Sequence, residues 1–170
     1  MTNSEWFSPR PVLSGSSFRV PDQDRVVAYD IGVLPAGGVP APWLLASEHD
    51  SVLLFRANAG IAVVTIERCL LSKFGYPNDE ALAGHPLYDH GLGFGSVFEV
   101  SNSSWVRQMN EQNKVCFPDG TDWKLRHWIF TFDDSTFECM AEALRVEVVK
   151  KPFREVFADI SARLLPKIPQ

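Results

Sequence analysis

Between Arg126 and Val149 the chain reads RHWIFTFDDSTFECMAEALRVEVV, two strand-like runs meeting at an acidic turn with His127, Glu138, Cys139 and Glu142 folded into them. An imidazole beside a carboxylate is the core of much proton-transfer chemistry, the ring moving the proton and the carboxylate orienting the ring. With Asp134-Ser135 as a two-residue turn, the pairs count outward to set His127 opposite Glu142 and Thr131 opposite Glu138. Side chains alternate across a sheet. One face then carries Trp128, Phe130, Phe132, Phe137, Cys139 and Ala141, and the other His127, Ile129, Thr131, Glu138, Met140 and Glu142. A slipped register instead pairs His127 with Met140 and Ile129 with Glu138, and leaves Cys139 opposite Trp128. The first register is the preferred one. It makes His127 the candidate acid or base and Glu142 or Glu138 its orienting partner. The same residues also read as an ordinary cross-strand polar pair facing water.

Two further stretches carry groups able to hold a ligand. GHPLYDHG (84–91) supplies His85 and Tyr88 as candidate ligand-binding residues. In EVSNSSW (99–105), Glu99 ends a strand, while Asn102, Ser103 and Ser104 stand at the mouth of a helix whose free amides can hold an anion. Glu99 and Asn102 are candidate ligand contacts. No metal and no cofactor is expected. Cys-x-x-Cys and His-x-His spacings do not occur, and His85 and His90 on one loop, even with Glu99 or His127, define no ligand geometry. GLGFGSV (91–97) lacks the dinucleotide spacing and is followed by a strand, so its glycines serve backbone bends rather than phosphates.

These residues need a frame. RVVAYDIGV (25–33), SVLLFRA (51–57), IAVVTIERCLL (61–71), SVFEV (96–100), KLRHWIFTF (124–132) and TFECMAEALRVEVV (136–149) read as strands. Asn58-Ala59-Gly60 marks a tight hairpin between the second and third. Those two runs are apolar on consecutive residues, which predicts central strands covered on both faces. Residues 34–42 form a Gly- and Pro-rich loop. Residues 72–95 form a long ordered loop with a short helix near 78–83, and such a loop is a usual carrier of function. Helices are expected over 101–113 and over 152–165, the latter with Phe153, Val156, Phe157, Ile160 and Leu164 on one stripe behind Pro152. The fold class is therefore α+β: a mostly antiparallel sheet of five to six strands, short inserted helices, and the C-terminal amphipathic helix packed on one face. Phe130, Phe132 and Phe137 are expected to meet Phe157 and Ile160 across that packing. Residues 1–22 read as an irregular arm, with Trp6 and Phe7 as anchors, ahead of a single domain over 23–170.

Composition narrows the function classes. The 170 residues are 45% hydrophobic and 12% aromatic, enough for a real core in one domain. The net charge of −5 is spread along the chain without a basic stripe, which argues against nucleic acid and anionic membrane. No apolar run is long enough to span a bilayer and no leader pattern precedes residue 20. Three dispersed cysteines read as reduced thiols of a cytoplasmic protein. Two readings follow. The first is a small-molecule-binding or small catalytic domain, its pocket formed by the 84–95 loop, the 99–104 turn and the 124–149 hairpin. The second is a non-enzymatic acidic interaction or immunity-type protein, favoured by small size, acidic charge and aromatic content. Oligomeric state is not legible.

Overall fold

A computed structural model describes residues 23–38, 40–48 and 50–165. The expected arm over 1–22 and His49 lie outside the described residues. The fold is α+β and its sheets are antiparallel, with a C-terminal helix on one face. The strands are more numerous than the sequence pattern implies and form two sheets. One holds β1 (Arg25–Ala28), β6 (Val97–Ser101), β7 (Arg126–Thr131), β8 (Thr136–Ala141) and β5 (Leu71–Gly75), in that order. The other runs β2 (Trp43–Ala46), β3 (Ser51–Ala57), β4 (Gly60–Glu67) and β9 (Ala143–Val149).

The inner faces of the two sheets make the main core. Leu53, Phe55, Ala62 and Val64 from the four-stranded sheet meet Val97, Trp128, Phe130, Phe137 and Cys139 from the other. The apolar hairpin face therefore packs on Phe55, whose ring lies 6.2 Å from that of Phe130, and not on the last helix. Helix α2 (Phe153–Leu164) covers the opposite side of β3 and β4, where Val156 and Ile160 bury against Val52, Leu54, Ile61 and Val63. Both faces of β3 and β4 are thus covered, as their unbroken apolar runs predict. Phe157 is half-buried beside Trp43, ring centroids 5.2 Å apart. No described helix is long and apolar enough to cross a membrane.

The long run 136–149 is two strands because the chain changes sheets at Glu142. The partner run 61–71 does the same at Arg68, whose backbone takes a left-handed turn, φ +51°. β4 pairs with β9 below the corner, and β5 pairs with β8 above it. The Arg68 guanidinium binds the Glu142 carboxylate across the bend, and the Glu142 amide donates to the Glu67 carbonyl over 2.9 Å.

The outer face of the five-stranded sheet lies under the 76–96 segment and helix α1 (Ser104–Cys116). Leu82, Leu87 and Leu92 bury against Val26, Phe98, Val100 and Ile129. Two short 3-10 turns, Leu82–Gly84 and Tyr88–His90, give this segment its shape. Gly91 is required there: its φ is +109°, and a Cβ would stand 2.8 Å from the Val26 carbonyl oxygen. The His90 ring binds the Asp24 carbonyl at 2.7 Å and ties the segment to the start of β1.

Candidate functional site

The hairpin between β7 and β8 adopts the slipped register. His127 opposes Met140, Trp128 opposes Cys139 and Ile129 opposes Glu138. The connection is longer than a two-residue turn: Thr131 and Thr136 are the last pair, and the Phe132 amide closes the loop on the Ser135 carbonyl at 2.8 Å. Asp133 lies in that loop, accepting from the Gly38 amide at 3.3 Å while its carbonyl accepts from Asp79 at 2.9 Å. Because strand parity is kept, the two faces carry the side chains expected of them. What changes is the partner of the histidine.

That partner is Glu138. His127 is 3% exposed, and its Nε2 lies 3.1 Å from Glu138 Oε2. The other carboxylate oxygen, Oε1, is 3.2 Å from His85 Nε2 and 3.6 Å from Lys73 Nζ. His85 Nδ1 accepts the Leu87 amide at 3.1 Å, so its ring proton sits on Nε2 and is donated to Glu138. Burial pushes the Glu138 carboxyl up. Hydrogen bonds from His127 and His85, with the charge of Lys73, more than reverse this and hold it well below its usual 4.5. An ionised Glu138 can only accept, so Nε2–H of His127 donates to it, and in that neutral tautomer Nδ1 is left as an acceptor. The Ser103 hydroxyl donates to that Nδ1 at 2.9 Å.

Ser103 is held by the join of β6 and α1. Asn102 turns the chain with a left-handed φ of +54°, a conformation asparagine tolerates better than most residues. Ser103 then caps the helix, its Oγ accepting the Val106 amide at 3.2 Å. The next free amide, that of Ser104, is taken by Asp24 Oδ1 at 2.5 Å. The anion expected at this helix mouth is therefore a carboxylate of the chain itself. Trp105 lays its ring edge-on to the His127 ring at 5.1 Å, and Lys73 Nζ sits 4.1 Å from the Trp105 ring centroid.

A cleft of about 320 Å³ opens beside this chain of groups, bordered by Asn102, Ser103, Arg107, Arg126, His127 and Glu99. Arg126 binds Glu99 through both nitrogens of its fork, Nε to Oε1 at 2.8 Å, and its guanidinium stacks 4.9 Å from Tyr29 and 4.8 Å from Trp128. The bond to Glu99 raises the Arg126 pKa further, against a smaller effect of burial. Arg107 donates to the Asn102 carbonyl and lies 3.8 Å from Asp24.

Of the residues singled out by sequence, His127, Glu138 and His85 come together, and Asn102 and Glu99 border the cleft with His127. Tyr88 does not join them; it packs with the leucines of the 76–96 segment, 6.4 Å from the Phe94 ring. Glu142 does not reach His127, since the slipped register carries it to the sheet corner and Arg68. The 84–95 loop roofs His127 and Glu138 through His85 but does not line the cleft. Ser103 was legible only as a helix cap. Lys73 lay in a stretch without strand periodicity, and nothing in its spacing pointed to Glu138. Among the described residues, no group of three or more His, Cys, Asp or Glu side chains is arranged to hold a metal ion. The chain matches no family model, no curated protein and no solved structure.

Proposed function

We propose that the chain binds, and acts on, a small polar molecule in the cleft at the start of α1, with His127 as the group that moves a proton there. The observation that carries this reading is the continuous hydrogen-bonded chain Ser103–His127–Glu138–His85, which ends in a cleft that Ser103 and His127 share. Glu138 orients the imidazole and fixes its tautomer, while His85 and Lys73 keep Glu138 charged. Arg107, Arg126 and Asn102 offer donors to a carbonyl or carboxylate oxygen. The cleft volume is at the small end for ligand pockets, which favours a metabolite-sized molecule over a polymer. The net charge of −5 supports a reading without nucleic acid, and the free cysteines suit a reducing compartment such as the cytoplasm.

The test is an NMR titration of histidine-labelled protein with acetate and with acetamide. The expected outcome is a shift of the His127 ring signals and of the amides around 99–107, lost in His127→Gln. Shifts confined to other surfaces would overturn the reading.

The alternative is a non-enzymatic acidic interaction protein of the immunity type. One observation favours it: an apolar groove of about 330 Å³ between α1 and the edge strand β5, where Leu70, Leu71, Met109, Phe117 and Trp123 meet. Under that reading the fragments leave the cleft undisturbed, and Phe117→Ser changes association behaviour in sedimentation without touching the His127 signals.

A further inference from the structure

We infer that Ser103 is a covalent nucleophile toward short acyl esters, a step that rests on the cleft reading above. Three features of the serine converge. Its hydroxyl lies 2.9 Å from His127 Nδ1, the ring nitrogen left to accept in the tautomer whose Nε2–H faces Glu138. Its oxygen already accepts the Val106 amide, so a developing alkoxide meets a backbone donor and the positive end of α1. Its position between a left-handed Asn102 and the first turn of α1 brings it to the cleft wall together with His127. Serine, histidine and carboxylate thus stand in the order of a nucleophilic triad. The two ring nitrogens are exchanged relative to the usual arrangement, with serine on Nδ1 and the carboxylate on Nε2, and the roles are unchanged.

The chemistry closes without an added reagent. Ser103 Oγ attacks the ester carbonyl carbon as its proton passes to His127 Nδ1. The carbonyl oxygen becomes an oxyanion facing the donors of Asn102, Arg107 and Arg126, the charges of the two arginines being offset in the resting protein by Asp24 and Glu99. The carbon–oxygen bond to the leaving alcohol breaks, and the alcohol takes the proton from Nδ1. Water then attacks the acyl carbon, gives a proton to Nδ1, and Ser103 leaves with that proton restored. The net reaction is ester plus water to acid plus alcohol. The size of the cleft limits the acyl group to a few carbons, and the two arginines favour acyl groups that carry a polar oxygen.

The experiment incubates the full chain with diethyl fluorophosphate, reads the intact mass, and maps any adduct by peptide sequencing, with release of p-nitrophenol from p-nitrophenyl acetate as a second readout. The expected result is one phosphoryl adduct on Ser103. It is absent in Ser103→Ala, retained in Ser104→Ala, and formed at least about 100-fold more slowly in His127→Gln, the low end of what a positioned base contributes. Wild-type protein with no adduct, or with its adduct on Ser104 or elsewhere, overturns the inference, as does an unchanged labelling rate in folded His127→Gln. The wild-type arm decides by itself if that variant does not fold. Shifts of the His127 signals with acetamide but no adduct would sink the nucleophile and leave the cleft reading standing. Absence of both would remove the two together.

Discussion

At the scale of single residues, Glu138 is the group on which most depends. It accepts from two buried imidazoles and faces Lys73, so Glu138→Gln removes the charge that those donors were placed for. The expected loss is about 1–3 kcal/mol at neutral pH, the cost of leaving buried polar partners poorly matched. The pH dependence has a definite sign. A carboxyl depressed in the folded state contributes stability above its unfolded pKa, and that contribution fades as pH falls below 4.5. Urea unfolding of both proteins at about pH 7 and about pH 3 should show the gap narrowing at the lower value. A gap that widened on acidification would mean that Glu138 is not held ionised. Cys69 offers a second residue-scale test. The hydrogen bond from the Cys139 thiol lowers it from 9.0 to about 7, against its own burial and with help from Ser51. Alkylation of Cys69 by iodoacetamide, followed by peptide mapping, should rise with a midpoint near 7, and Cys139→Ala should move that midpoint upward.

At the scale of elements, helix α2 is held by Val156 and Ile160, which are buried, more than by Phe157, which is half-buried beside the exposed Trp43. Ile160→Ala should therefore destabilise by about 2–5 kcal/mol, and Phe157→Ala by less than a fully buried phenylalanine would. Equal losses in thermal unfolding would contradict this packing. The elements were also where sequence reading went furthest. The 58–60 hairpin, the apolar stripe of α2 and the alternation along β7 and β8 follow from local periodicity, and local periodicity survives folding. The strands β2 and β5 did not announce themselves: each is short, and β5 is an edge strand with exposed Leu71 and Phe74. Register was harder still. A two-residue shift of the β7–β8 pairing keeps every side chain on its face, so burial pattern alone cannot separate Glu142 from Met140 as the neighbour of His127. Loop length decides it, and DDST is compatible with either turn. The link from Ser103 to His127 joins a helix cap to a strand, and no spacing rule reports it.

For the molecule as a whole, the two sheets share one core, and Phe55 lies at its centre against Phe130 and Phe132, 6.2 and 5.5 Å between centroids. Phe55→Ala should cost about 3–5 kcal/mol. Near- and far-ultraviolet dichroism should still report one coincident transition, since the inner faces of the two sheets bury against each other and the runs 61–71 and 136–149 pass from one sheet to the other. Two transitions would mean that the sheets fold apart. The coverage of β3 and β4 on both faces has a further consequence, which belongs to the ribosome. Their apolar side chains await β7 and β8 on one face and α2 on the other, and β4 awaits β9 along its edge. All of these partners are encoded in the last third of the chain. At translation rates of about 5–20 residues per second, the finished β3–β4 hairpin stands without them for several seconds to over ten. During that interval a nascent strand pair with no polar face is exposed, and holding it apart from its neighbours is a task for chaperones rather than for the native contacts that later bury it.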